Sequence, residues 1–144
     1  EGSFVGTAHL TGNLDQLLVD NESKTIRVID FKTGKPHARW SNDVKAHKYR
    51  QQLLFYKLLV EHSHSFKGYE VDEAKLVFVE PDALTGTMHE LPIQFTADDI
   101  AHTKQLIAAI WQRITNLDLP DTQAFSKDLK GIIAFEEWLI VNTA

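Results

Sequence analysis

The octapeptide VIDFKTGK at residues 28–35 sets two opposite charges, Asp30 and Lys32, in a run whose Val28, Ile29 and Phe31 suit a half-buried β-strand. Side chains alternate along a strand, so Ile26, Val28, Asp30 and Lys32 share one face and Arg27, Ile29 and Phe31 the other. An unpaired charge on a buried face is expensive. The polar cluster from Asp20 to Lys24 reads as a turn, and a two-residue turn at Glu22-Ser23 or a four-residue turn over 21–24 gives the same hairpin register. Both set Asp15 opposite Asp30. Carboxylates opposed across an antiparallel ladder repel, and a divalent cation between them removes the objection. Two carboxylates, a backbone carbonyl and waters are oxygen ligands of the kind Mg2+ or Mn2+ takes, and a neighbouring ammonium sits where charge develops on an attacked phosphate. The bland alternative is an ordinary Asp30–Lys32 pair at the end of an exposed strand, with Asp15 in a turn; these three residues leave both readings open.

A second group of residues lies downstream. Gln52 and Tyr56 are four apart, so on a helix they project from one face, and Lys45 and Tyr49 continue the stripe. An amide, two phenols and an ammonium aimed at the sheet could hold a phosphodiester backbone; the alternative is a helix whose polar side meets water. Leu53, Leu54 and Leu58 read as core. The formal net charge of −5 argues against a generic nucleic-acid binder, but the distribution does not. Between Lys32 and Lys57, seven basic residues (Lys32, Lys35, Arg39, Lys45, Lys48, Arg50, Lys57) face one acid, Asp43, giving +6 and leaving −11 for the rest. That stretch could meet phosphates.

The elements that must position these groups follow from periodicity and punctuation. Strands are predicted over 3–11, 14–20 and 25–32, broken by Thr33-Gly34-Lys35-Pro36. A helix runs from Asp43 to His62 with Asn42 or Asp43 as its N-cap. Residues 74–80 and 87–95 pair as a hairpin across the turn Pro81–Gly86. Thr96, with Asp98 and Asp99 behind it, starts a helix to about Asn116, and a last helix spans about 126–141. This order predicts an α/β fold with a mixed central sheet flanked by helices. With 144 residues, 43% of them apolar, the chain is expected to form one domain over 1–144. Its opening at Glu1 and its single Met88 suggest a piece of a longer protein. No apolar run suits a membrane span and no basic-apolar leader is present, so a soluble intracellular protein is expected, in a bacterial cytoplasm. The absence of cysteine excludes disulfides, thiolate metal sites and an iron–sulfur cluster.

GNLDQL at 12–17, VIDFKTG at 28–34 and QLLFY at 52–56, in that order and spacing, resemble the motifs of the PD-(D/E)xK nuclease superfamily, and more narrowly its RecB-like exonuclease branch. The opening EGSF is similar to the Glu-x-x-Phe that often precedes the first motif strand. The resemblance implies a restriction-endonuclease-like sheet and a metal-dependent deoxyribonuclease. Asp15 and Asp30 would bind Mg2+ or Mn2+ with the Phe31 carbonyl, Lys32 would orient the attacking water and stabilise the transition state, and Gln52 and Tyr56 would support the site and contact DNA. Lys35, Lys45 and Tyr49 are the further expected DNA contacts. Some relatives take another metal ligand from an upstream helix, a role for which His9 is the candidate here. Asn13 and Gln16 stand where many members carry arginine. The stretch FSKDLKGIIAFEEWLI is similar to the tails of nuclease domains attached to superfamily-one DNA helicases, which implies a helicase–nuclease used in end processing or repair. A catalytically relict DNA- or partner-binding module of the same fold is the rival reading.

Other residues carry less. His62 and His64 point to different sides of a helix end, and Trp40 could stack on a base or pack over a helix start. His89, His102, Trp111 and Trp138 form no constellation. The scattered glycines make no phosphate loop, and no Gly-x-Ser-x-Gly turn supports a serine hydrolase.

Overall fold

The computed structural model describes residues 2–37 and 39–143. Its centre is a four-stranded mixed sheet in the order β3 (Gln16–Asp20), β4 (Thr25–Lys32), β5 (Glu70–Phe78), β6 (Glu90–Ile93). β4 and β5 run parallel, and the outer pairs are antiparallel. A parallel neighbour needs a crossover, and α1 (Val44–Glu61) supplies it between β4 and β5. α2 (Ala97–Thr115) packs on α1, and α3 (Leu129–Asn142) packs on α2. The α/β expectation, a mixed sheet flanked by helices, is met. Among the described residues no helix is long and apolar enough to cross a membrane.

The first expected strand, 3–11, is instead a hairpin of β1 (Ser3–Val5) and β2 (Ala8–Leu10), forming a separate two-stranded sheet. Gly6, with φ of +60°, takes the first place of its two-residue loop, where a left-handed backbone suits the strand twist. β5 begins at Glu70 rather than 74, because Val71 is buried although Glu70, Asp72 and Glu73 look like loop. The ladder skips Asp72, a bulge between Ile26 and Arg27 in register.

The β3–β4 hairpin keeps the expected register, with Gln16 opposite Ile29 and Asp20 opposite Thr25 across the four residues 21–24. Asp20 holds that turn, its carboxylate accepting from the Glu22 and Ser23 amides, and these bonds, those to Ser23 first, hold its pKa below the ordinary value. The β4 face bearing Ile26, Val28 and Asp30 is buried beneath α1. Each helix opens on a side-chain cap: Asp43 accepts from Ala46, Thr96 from Asp99 and Asp128 from Gly131. A Cβ on Gly131 would stand 1.9 Å from the Ser126 carbonyl oxygen, so the chain entering α3 closes tightly on a glycine. Every residue of α1 from Tyr56 to Val60 is buried, which makes this helix the middle of the molecule.

Candidate active site

Four side chains form one connected row at the C-terminal end of β4. Lys32 Nζ lies 2.7 Å from Asp30 Oδ2 and donates to Gln52 Oε1 at 2.7 Å, while Gln52 Nε2 donates to the Tyr56 hydroxyl at 2.8 Å. An ammonium can only donate, so the Gln52 carbonyl oxygen must face it and the amide nitrogen must face Tyr56. Strand alternation puts Asp30 and Lys32 on the α1 side, and the i, i+4 spacing puts Gln52 and Tyr56 over them. The Tyr49 ring closes the assembly, its centroid 4.7 Å from Lys32 Nζ; Lys45 Nζ lies 5.7 Å from the same ring.

Asp30 is only 3% exposed, and its Oδ2 meets Lys32 as an ion pair without a directed hydrogen bond on that oxygen. At 2.7 Å that ammonium is the partner a buried carboxylate requires. Asp15 stands just before β3, beyond the last ladder pair. The expected cross-strand pair of carboxylates is therefore replaced by a different contact: Asp15 Oδ2 accepts from the Phe31 amide at 2.9 Å. Since one residue's N–H and C=O leave a strand on the same side, the Phe31 carbonyl also points toward Asp15, away from β5. The Lys32 carbonyl, one residue on, takes the Val79 amide on the β5 side.

The remaining expected residues are dispersed. Lys35 is exposed in the turn after β4, which Glu80 ties down by accepting from the Gly34 amide at 3.1 Å. His9 is exposed on the β1–β2 hairpin, its ring stacked 4.8 Å from Phe4. Among the described residues no three of His, Cys, Asp and Glu gather as a metal cluster, so His9 is not assembled with Asp15 and Asp30. Trp40 packs: its indole donates to the Pro92 carbonyl at 2.7 Å and Arg50 lies over its ring. His62 caps the end of α1 through the Leu58 carbonyl, His89 meets Asp82, and His102 meets Glu137.

The family model of the PD-(D/E)XK nuclease superfamily matches residues 1–126. The chain belongs to that superfamily. Members of that superfamily are generally nucleases. No curated protein and no solved structure matches the chain. A PD-(D/E)XK reading of the sequence had no local signal for two other buried charges, Lys57 and Glu136. A cleft of about 510 Å3 between α1, α2 and α3, walled by Leu54, Phe55, Leu106 and Ile107, shares no side chain with the Asp30–Lys32 row.

Proposed function

We propose that this chain is a metal-dependent deoxyribonuclease of exonuclease type and RecB-like kind, the nuclease module of a cytoplasmic helicase–nuclease that works in DNA end processing or repair. The observation that carries the reading is the row Asp30–Lys32–Gln52–Tyr56, with Asp15 at the adjoining strand end. The donor set fits a hard cation: the Asp30 carboxylate, the Asp15 carboxylate and the Phe31 carbonyl are all oxygen ligands, and Mg2+ commonly takes one or two carboxylates and fills the rest with water and phosphate. Such an ion, held by Asp15, Asp30 and the Phe31 carbonyl, would neutralise phosphate charge and acidify a water.

The chain's own residues do the rest. Water attack on a phosphodiester forms one P–O bond and breaks another, and negative charge grows on the phosphoryl oxygens. Lys32 places a fixed positive charge there, and Gln52 and the Tyr49 ring hold it so that little reorganisation is needed. Gln52 is itself anchored by Tyr56. Lys45 and Lys35 are exposed and available to backbone phosphates.

The test is cleavage of end-labelled linear DNA by the chain with Mn2+, beside Lys32→Ala and a chelator control. Cleavage lost in both controls is the expected result; cleavage retained by Lys32→Ala would overturn the role given to that residue. One observation favours the rival binding module, namely that Asn13 and Gln16, both exposed, stand beside Asp15 where arginine would grip the backbone. Salt-dependent DNA binding without cleavage under any metal would select it.

A further inference from the structure

We propose that Glu136 of α3 is a positioning residue for the site: it fixes the first half of α1 and, through Gln52, the Lys32 ammonium. This rests on the nuclease reading above. Glu136 is 8% exposed, yet it is charged and sits in the seam where Leu106, Ala109 and Leu139 pack. It accepts from Gln51 Nε2 at 2.7 Å, and His47 Nε2 lies 3.1 Å from both of its oxygens. His47 and Gln51 are one turn apart and form a stripe of α1 facing α3. Gln52, the next residue, faces the sheet and holds Lys32. The segment 45–52 is thus gripped from α3 on one side and grips the catalytic lysine on the other. A leucine at 136 would fill the same apolar seam without burying a charge; a buried carboxylate keeps its place by virtue of its partners. The matched family segment ends at residue 126, before α3 begins, so this grip comes from outside the matched part of the chain.

The experiment uses the full chain and two readouts. In Mn2+-dependent cleavage, Glu136→Ala is expected to lower kcat about 10- to 100-fold with KM for DNA little changed, since a small misplacement of a catalytic group costs that much. Glu136→Gln, which still accepts from Gln51, is expected to recover most of the rate. A residue that merely packs would lower Tm and leave kcat per folded molecule intact, and that result would overturn the proposal. The second readout needs neither metal nor DNA: NMR of the Lys32 ammonium and the Gln52 side-chain amide. Both signals are expected to shift or broaden in Glu136→Ala and in Gln51→Ala, which removes the same bond from the α1 side and serves if the first variant does not fold. Signals unmoved in either folded variant would overturn the proposal. An inactive wild type with shifted signals would sink the nuclease reading and keep the positioning chain; an active wild type with unmoved signals would do the reverse.

Discussion

Two lysines at α1 make the same kinds of contact and differ in access. Lys57, in the second half of α1, pairs with Glu61 at 2.5 Å, donates to the Val71 carbonyl at 2.6 Å and lies 4.9 Å from the Phe95 ring centroid. Glu61 in turn accepts from the Val71 amide at 2.8 Å, so the pair holds both polar groups of one backbone residue beside the β5 bulge. That arrangement is closed, since every charge has a directed partner. Lys32 has the same three kinds of partner, the Asp30 carboxylate at 2.7 Å, the Gln52 oxygen and the Tyr49 ring, but its side chain remains 17% exposed against 7% for Lys57. Lys57 is sealed beneath β5, whereas Lys32 is held as firmly and keeps one side open, as the proposed role requires.

The contrast can be broken by exchange of roles. Lys32→Ala should cost the most activity, about 10^2- to 10^3-fold in kcat, as losing one preorganised donor does. DNA binding should barely move, whereas Tm should fall because Asp30 is left buried without its cation, so kcat is compared per folded molecule. Lys57→Ala should also lower the urea-extrapolated stability, by roughly 3 kcal/mol, because Glu61 is left without its cation. Its kcat per folded molecule should stay at the wild-type value; a large loss of kcat would mean that the Lys57 cluster serves the site after all. Gln52→Ala should fall between, about tenfold slower, because Lys32 keeps Asp30 and Tyr49 but loses its amide anchor. The smallest effect belongs to the β5–β6 turn. There the Thr85 and Leu84 amides, with His89 behind them, pull Asp82 from 3.8 down to about 2. The folded value lies below the unfolded one, so this contribution is complete above the unfolded pKa and is lost as pH falls from 3.8 through about 2. Acid unfolding of Asp82→Asn should therefore differ from wild type at neutral pH and converge with it near the lower value.

Most of the positioning was legible because it is local. Asp43, Thr96 and Asp128 are side-chain caps, two of them flagged by type and place, and the 21–24 turn carried the hairpin register intact. Asp30 with Lys32 followed from a strand period of two and Gln52 with Tyr56 from a helical period near four, while the bond joining the two pairs did not. What was hidden depends on contacts between distant segments. A run of Glu70, Asp72 and Glu73 conceals a strand whose one fully buried member there is Val71. Lys57 and Glu61 look like an ordinary surface i, i+4 pair until β5 covers them. Glu136 is one acid in a pair of acids on an amphipathic helix, and only the docking of α3 tells it from Glu137.

The bond from the Phe31 amide to Asp15 has one more consequence. It occupies the station where the β3 ladder would add its next rung, so the sheet is zipped shut at that corner by a side chain that also belongs to the site. Withdrawing the carboxylate would free only the β3 side of this corner, because β5 still holds Asp30, Phe31 and Lys32 in register. The Phe31 amide proton is therefore a natural clock for Asp15: its exchange rate with solvent counts how often that carboxylate lets go.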